Sequence, residues 1–307
     1  MNMSSYLLGL IQVFGGIILS PILVGVIQQL KAVMQGRRGP GIFQPYRELR
    51  RLWGKGLVNV AGTTIIYKLA PVISSSVLVI AICIVPISSR SPNFGFGHDA
   101  LVLVGLLALG RFSIAASSWD TQNGFGLMGA SRDIAISVFA ESCLVISLAV
   151  VMLSARSSDL RTMISVTAGP ERWISPVLPL VLISFTVVAI AEIGRQPVDN
   201  PDTHLELTMI HEGPLLEYAG RDLALLQWNM AARHWIFLVL ICQIFLPHGS
   251  STLVQLIALP IVILALCAVA AAIETVVVKM RVLEVPRLLS VGTVTAMMAL
   301  LALKATL

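Results

Sequence analysis

The stretch of residues 191–222 concentrates the side chains of this sequence that can hold or pass protons. It contains seven of the sixteen acidic residues of the chain and two of its five histidines. Histidine is the side chain whose charge ordinarily changes between about pH 5 and 8, and neighbouring carboxylates attract cations. We interpret the stretch as a segment that handles protons or Na⁺, with a solvated loop carrying acids at helix ends as the alternative. The residues are Glu192, Asp199, Asp202, His204, Glu206, His211, Glu212, Glu217 and Asp222.

The composition places this stretch beside a membrane. The 307-residue sequence is 56% hydrophobic and 12% charged, whereas soluble domains carry about 25% charged residues. It contains eight apolar runs of spanning type, and in lipid such runs must be helices because the backbone has to satisfy itself. We predict an all-α, polytopic integral membrane helical bundle that forms one domain over residues 1–307. The predicted spans are 6–30, 69–88, 100–118, 134–154, 176–194, 234–247, 252–278 and 288–304.

The distribution of basic residues predicts the orientation. Fifteen of the 21 Lys and Arg residues lie in or beside four loops on one face, and five lie on the other face. By the positive-inside rule, these loops are cytoplasmic and both termini are outside. We therefore expect a multi-pass protein of the inner (cytoplasmic) membrane. The predicted cytoplasmic loops are 31–68, 119–133, 195–233 and 279–287.

Ionisable residues inside spans are costly in lipid and are candidates for function. Arg111 and Glu141 have opposite charges and are expected to meet, either as a structural ion pair or on a polar path for protons or Na⁺. Glu192 and Arg195 are three residues apart, which predicts a pair on one helical face. Glu274 lies near a cytoplasmic helix end, where snorkelling explains it as well as function does.

Local signals refine the spans on either side of the acidic stretch. The run at 234–247 is short for about 30 Å of hydrocarbon, so it is expected to begin inside the preceding helix or to tilt. Gln196 precedes Pro197, which disfavours helix and predicts that the fifth span stops there. A second helix is predicted after Asn200, which suits its N-cap.

Two other cytoplasmic segments have sequence signals of their own. Residues 43–53 alternate aromatic or aliphatic side chains with charged ones, which predicts a short interfacial helix. Plain attraction of its basic residues to anionic lipid is the alternative. The glycines of the 119–133 loop predict a flexible or tightly turned backbone that approaches a neighbour closely, and Ser131 is predicted to cap the fourth span.

The four cysteines indicate no metal centre. Each lies in an apolar run, and no two have the CxxC spacing that clusters or zinc use. We expect buried thiols and no metal site in this chain. The cysteines are Cys83, Cys143, Cys242 and Cys267.

Four motifs in this order resemble the complex I subunit 1 family. They are RRGPGIFQPYRE at 37–48, GASRDIAISVFAE at 129–141, AEIGRQPVD at 191–199 and HLELTMIHEGPLLEYAGRDLAL at 204–225. Within that family, RRGPG, the loop around Asp120 and EGPLLEYAG are most similar to the membrane subunit of formate hydrogenlyase and hydrogenase-4 type NiFe hydrogenases. The resemblance implies a subunit without a redox centre that anchors a peripheral redox arm and couples it to proton or sodium movement.

The resemblance also implies roles for individual residues. Ten positions are expected on the proton or ion path or in coupling: Arg111, Glu141, Glu192, Arg195, Asp199, Asp202, His204, Glu206, Glu212 and Glu217. Five are expected to dock the redox arm: Arg37, Arg38, Asp120, Arg132 and Tyr218. No catalytic residue is expected in this chain.

The resemblance further implies partners and bears on cofactors. The expected partners are a cluster-bearing small subunit, a NiFe-type large subunit, antiporter-like membrane subunits and lipid, with no nucleic acid. In complex I this region walls the quinone chamber, but Val198 stands where the family commonly has Phe and Gly41 where it has Asn. We therefore expect no cofactor bound by this chain, and quinone is not claimed. The alternatives are the quinone-chamber subunit of complex I proper and a stand-alone secondary transporter, although no internal repeat supports the transporter.

Overall fold

The computed structural model is a bundle of α-helices, which confirms the predicted fold class. It describes residues 3–88, 97–169, 174–199, 210–245 and 252–306. Within these ranges, seven helices are long and apolar enough to cross a membrane, and the helix Val177–Ile193 is apolar but shorter, which agrees with about eight spans. In chain order the helices are α1 (Met3–Met34), α2 (Gln44–Trp53), α3 (Ile65–Ile84), α4 (Ala100–Asp120), α5 (Gly124–Ala155), α6 (Leu160–Thr167), α7 (Val177–Ile193), α8 (Gly220–Phe245), α9 (Thr252–Val276) and α10 (Val285–Thr306).

Helix α8 forms the centre of the bundle. It packs against α1, α3 and α7, and almost every residue from Ala231 to Phe245 is buried. Its aromatic side chains anchor α7, since the Phe185 ring lies 6.2 Å from that of Phe237 and 5.5 Å from that of Phe245. The helix begins at Gly220, so the short sixth run does start inside the preceding helix. Arg233, placed in a cytoplasmic loop by the sequence, therefore lies inside a span.

Helix α5 also begins earlier than predicted. The side chain of Asn123 caps it by accepting a hydrogen bond from the Phe125 amide, so the prediction of a cap at Ser131 was wrong. The glycines of this segment are helical. The predicted close approach is present at Gly129, because a Cβ there would lie 2.7 Å from Gly213 Cα. Gly213 begins a 3₁₀ turn, Gly213–Leu215, in the segment that leads to α8.

The segment predicted as a short interfacial helix is helical, as α2. It packs on α1 and α8 and buries Leu52 between them. Phe43 and Trp53 are exposed at its two ends, and Tyr46 is half-buried. This helix also forms one wall of a cavity that it shares with α1, α8 and the end of α7.

Helix α7 ends where the acidic stretch begins. Gly194 terminates it in the left-handed conformation, with φ at 67°. This is the usual geometry of a glycine that ends a helix, and it stops the helix before the predicted boundary at Pro197. Glu192 is therefore helical, whereas Arg195 lies beyond the turn and leaves the helix in another direction.

Candidate functional site

Charged side chains of α4, α5, α7 and α8 form a buried group around one carboxylate. Glu192 of α7 is 2% exposed. Arg111 of α4 donates to both of its oxygens, at 3.0 and 2.8 Å, and Arg233 of α8 donates to Oε2 at 3.1 Å. The Arg111 Nε also lies 3.9 Å from the Asp133 Oδ2 of α5. We call these four residues, Arg111, Asp133, Glu192 and Arg233, the central cluster.

A second group connects the central cluster to the acidic stretch. His211 Nε2 lies 3.7 Å from Asp133 Oδ1, and His211 Nδ1 lies 3.4 Å from Asp199 Oδ2. Lys279, from the segment after α9, donates to Asp199 Oδ1 at 2.7 Å. We call Asp199, His211 and Lys279 the loop triad. Together the two groups contain three cationic side chains and three carboxylates, so their charges cancel when His211 is neutral.

The loop triad holds Asp199 as an anion. Burial acts to raise the pKa of its carboxyl, but the hydrogen bonds and charges of His211 and Lys279 lower that pKa below its ordinary range. The amides of Ile210 and His211 also lie 3.3 Å from Oδ2 as donors. Asp199 therefore fixes residues 210 and 211 beside the end of α7.

Arg195 and Glu274 belong to a separate cluster. Arg195 donates to Glu274 at 3.1 Å, and Lys31 lies 3.4 Å from the same carboxylate. Glu274 is buried, so it does not snorkel to the surface, and the predicted pair of Glu192 with Arg195 was wrong because Gly194 turns the chain between them.

His234 completes this separate cluster, which we call the second cluster and which consists of Lys31, Arg195, His234 and Glu274. Its Nε2 accepts a hydrogen bond from Arg195 Nε at 2.8 Å, so its Nδ1 carries the hydrogen and donates to the Met230 carbonyl at 2.7 Å. An imidazole that accepts through one nitrogen and donates through the other is the neutral form. In this cluster Glu274 is paired with Lys31 and Arg195, and Arg195 also donates to a neutral histidine.

Glu141 does not form the ion pair that the sequence predicted. It is half-buried on α5, and the described residues show no contact of 4.0 Å or less between its carboxylate and Arg111. Arg111 uses Glu192 and Asp133 instead. Glu141 can therefore be replaced by a neutral residue without breaking a buried ion pair.

A cavity of about 580 Å³ lies between α1, α2, α8 and the end of α7. Its wall includes several polar or charged side chains: Gln28, Glu48, Arg51, Arg195, Gln227 and His234. Glu212 lines it as well and is half-buried. Because Arg195 and His234 belong to the second cluster, the cavity leads to buried charges.

Three of the expected coupling or docking residues make contacts that join different parts of the fold. Asp120 Oδ2 accepts from the Thr64 amide, the Thr64 hydroxyl and the Tyr67 amide, at 2.7, 2.9 and 3.2 Å, and so caps α3. Tyr218 is buried and stacks on Tyr67 with ring centroids 4.5 Å apart. Glu217 accepts a hydrogen bond from the Asn123 side chain at the start of α5. Asp120 and Tyr218 therefore have structural contacts, and the buried Tyr218 ring is not available for docking.

The remaining docking candidates lie near the predicted cytoplasmic face. Arg37 and Arg38 are exposed just after α1, and Arg37 donates to Gln35. Arg132 is half-buried on α5 and donates to the Met128 sulfur at 3.0 Å. The coupling candidates Asp202, His204 and Glu206 lie outside the described residues, as does the predicted cap Asn200.

The sequence did not single out several members of these clusters. Arg233 and Asp133 were assigned to loops, and His211 was noted only as a titratable group. For Arg233 a signal was available, because it directly precedes an apolar run that is too short to span alone. Lys31 and Lys279 offered no such signal, since each is one basic residue among many at a predicted cytoplasmic border.

Comparison with protein-family models finds one family that covers almost the whole chain. The model described as NADH dehydrogenase matches residues 7–305. Among curated proteins, hydrogenase-4 component C of Escherichia coli (strain K12) is 36% identical over 237 residues, which are 76% of this chain and 73% of that protein. Formate hydrogenlyase subunit 4 of the same strain is 30% identical over 252 residues, 80% of this chain and 79% of that protein.

More distant similarities point the same way. An NADH-quinone oxidoreductase subunit of Geobacillus sp. (strain WCH70) is 27% identical over 223 residues, 69% of this chain and 65% of that protein. Among solved structures, a chain of the membrane-bound sulfane sulfur reductase, an archaeal respiratory membrane complex, superposes with a TM-score of 0.82. That match covers 97% of this chain and 100% of the other at 19% sequence identity, so it bears on the fold.

Proposed function

Because the chain belongs to the NADH dehydrogenase family, that of complex I subunit 1, we propose that it anchors and couples a hydrogenase-type oxidoreductase complex in the membrane. In this role it links a peripheral redox arm to proton or sodium movement and carries no redox centre. The observation that supports coupling is the row of charged contacts from Glu192 to Lys279. Contacts of 3.9 Å or less join the central cluster, inside the spans, to the loop triad at their border.

The physical argument for coupling is that this row is buried and almost neutral. In a medium of low dielectric constant, one added charge changes the energy of every neighbouring ion pair far more than it does in water. A redox event that alters the charge near Asp199 would shift the contacts of His211 and Asp133. The effect would then reach Arg111 and Glu192, which gives a local charge change a route into the spans.

The relatives favour a hydrogenase-type complex over complex I. Hydrogenase-4 component C and formate hydrogenlyase subunit 4 are more similar to this chain than the NADH-quinone oxidoreductase protein is. We propose a cluster-bearing small subunit and a NiFe-type large subunit as peripheral partners, and antiporter-like subunits in the membrane. Arg37 and Arg38 are exposed on the proposed cytoplasmic face and are suited to dock an acidic surface.

The 580 Å³ cavity fits water and ions better than an isoprenoid quinone. Sites for drug-sized organic ligands are lined predominantly by apolar and aromatic groups with a few polar ones. Here Glu48, Arg51 and Arg195 contribute charges, and polar amides and His234 add to them. We therefore propose a hydrated vestibule that leads to the second cluster.

The test uses the intact complex, purified from its native membrane and reconstituted into liposomes. Redox turnover, ions moved per turnover, nickel content and subunit composition are measured together. We expect Glu141→Gln, which breaks no ion pair, and Glu192→Gln to lower ion movement per turnover at least about a hundredfold, the lower end of the range for loss of a proton-transfer group. The control is Glu284→Gln, which changes an acid of the Val282–Glu284 turn that belongs to neither cluster.

Two results would contradict the proposal. One is full ion-coupled turnover in both Glu141→Gln and Glu192→Gln, which would remove the span acids from coupling. The other is a native complex that lacks nickel and oxidises NADH, which would favour complex I proper. Ion movement by the isolated chain without any redox subunit would instead support a secondary transporter.

A further inference from the structure

A second, smaller cavity lies inside the central cluster. Its space of about 50 Å³ has room for one or two water molecules at about 30 Å³ each. Polar and charged side chains from α4, α5, α7, α8 and the segment before α8 form about half of its wall: Arg111, Asp133, Glu192, His211, Asn229 and Arg233. Apolar side chains complete the wall: Ile114, Ile193, Leu215, Leu226 and Met230. The polar part of this wall suits water, because water there can make several hydrogen bonds.

Two buried oxygens in the wall of this cavity lack a hydrogen-bond partner among the described residues. They are Asn229 Oδ1 and Asp133 Oδ1. Asn229 is 2% exposed and uses its amide nitrogen to donate to Ser74 at 3.0 Å. Leaving a buried acceptor unsatisfied costs the free energy of removing it from water. Water in the cavity would remove that cost for both oxygens.

His211 lies between this cavity and the loop triad. Its Nδ1 is held against Asp199 Oδ2, and its Nε2 faces Asp133 Oδ1 from 3.7 Å, too far for a direct hydrogen bond. The ring packs against the end of α7, where a Cβ on Gly194 would lie 3.0 Å from Nδ1. The imidazole is thus fixed in place with one nitrogen directed to the cavity wall.

We propose that this cavity holds ordered water and that His211 is the residue that takes up and releases a proton there. The inference rests on the proposed function, since it names a proton-handling residue within the coupling path. The Nδ1–H stays hydrogen-bonded to Asp199. Nε2 binds an excess proton that reaches the cavity water as a hydronium ion: one O–H bond of that ion breaks, the Nε2–H bond forms and neutral water remains. Release of the proton runs the same exchange in reverse.

Proton uptake at His211 has a structural consequence. Asp133 lies between His211 and Arg111, at 3.7 and 3.9 Å. A protonated imidazole competes with Arg111 for the Asp133 carboxylate, and the other charges that face the site are Asp199, Glu192 and Arg233. When His211 is protonated, Asp133 attracts Arg111 less, and Arg111 then depends more on its contact with Glu192.

The direct test is an electron cryo-microscopy map of the intact complex at a resolution that shows ordered water. We expect water density bridging His211 Nε2, Asp133 Oδ1 and Asn229 Oδ1. Asn229→Leu, which replaces the amide by an apolar group of similar size, is expected to remove that density. Ser74→Ala is the matched control, because it breaks the other hydrogen bond of Asn229 and leaves the cavity wall unchanged.

The functional test uses the same variants in liposomes. We expect His211→Gln and Asn229→Leu to lower protons moved per redox turnover at least about a hundredfold, while Ser74→Ala retains the wild-type value. A cavity without water density in the wild-type map, or full proton movement in His211→Gln, would overturn the inference. If Glu141→Gln and Glu192→Gln lose coupling while His211→Gln does not, the inference fails alone; if all of them keep full coupling, the proposed function fails as well.

Discussion

Glu192 compensates two buried guanidinium groups at once. The same carboxylate accepts from Arg111 and Arg233, and both arginines are buried. Removing one partner of a buried ion pair typically costs about 3–5 kcal/mol, because a charge is left uncompensated in a dry site. Glu192 therefore has a structural role besides the coupling role that we propose for it.

We expect Glu192→Gln to destabilise the protein by about 3–5 kcal/mol. The amide keeps the shape of the side chain but leaves the two arginines with Asp133 as their nearest anion. Thermal unfolding of the purified complex, followed by loss of monodisperse protein, measures the effect. Glu284→Gln should unfold at the wild-type temperature, and a Glu192→Gln variant as stable as wild type would show that the cluster is hydrated enough to screen its charges.

The Asp199 contacts should survive mild acid. Its pKa is depressed in the folded protein by His211 and Lys279, against the effect of burial. Such a group stabilises the fold fully above its unfolded pKa of about 3.9, and the contribution is lost only as the pH falls through the lower folded value. The loop triad is therefore expected to hold from neutral pH down to about pH 4.

Hydrogen exchange at the Ile210 and His211 amides measures this prediction, since both amides point at Asp199 Oδ2. After correction for intrinsic rates, their protection should stay constant between about pH 7 and pH 4. Asp199→Asn should exchange faster at every pH. Loss of protection between about pH 7 and pH 4 would contradict the prediction that the Asp199 carboxylate holds this segment.

At the scale of elements, the end of α7 decides which charges meet. Gly194 has a φ of 67°, and so does Gly36, which follows the end of α1. The two glycines differ in their surroundings. A Cβ on Gly194 would lie 3.0 to 3.3 Å from atoms of the His211 imidazole, whereas a Cβ on Gly36 meets no described atom within 4 Å.

This pair offers a matched comparison. Gly36→Ala should cost about 1–2 kcal/mol from left-handed backbone strain alone. Gly194→Ala should cost about 1–3 kcal/mol more, the usual range for overpacking, and should displace His211 from Asp199. Thermal stability and hydrogen exchange at His211 measure the two effects. Equal losses in both variants would mean that the imidazole moves aside freely.

The helices could be predicted from the sequence, but the pairing of their charges could not. Long apolar runs and the alternation at 43–53 determine the spans and α2, because lipid enforces helix and one face must be buried. The spacing of Glu192 and Arg195 suggested a pair, yet one glycine ended the helix between them. The true partner, Arg111, lies 81 residues away and is brought close by packing of α4 against α5 and α8 against α7.

At the scale of the whole molecule, the buried charges lie toward one end of the bundle. Glu192, Arg195 and Glu274 are near the ends of α7 and α9, and Arg233 is near the middle of α8. Since these helices alternate in direction across a membrane, those ends share one face. The exposed arginines after α1 lie on the same face, which is the one that basic loops assign to the cytoplasm.

Two exposed side chains of almost equal accessibility can test this orientation. Leu283, between α9 and α10, is 87% exposed, and Ile174, just before α7, is 86% exposed. The positive-inside rule places Leu283 in the cytoplasm and Ile174 outside. In right-side-out vesicles, a membrane-impermeant maleimide should label Ile174→Cys and leave Leu283→Cys unlabelled.

Inverted vesicles should give the opposite pattern, and detergent-solubilised, denatured protein should label in both variants. The native cysteines add little background, because Cys143, Cys242 and Cys267 are buried and Cys83 is only partly exposed in a span. Labelling of Leu283→Cys from the outside would reverse the topology. The loop triad would then face away from a cytoplasmic redox arm, and coupling through Asp199 would lose its physical basis.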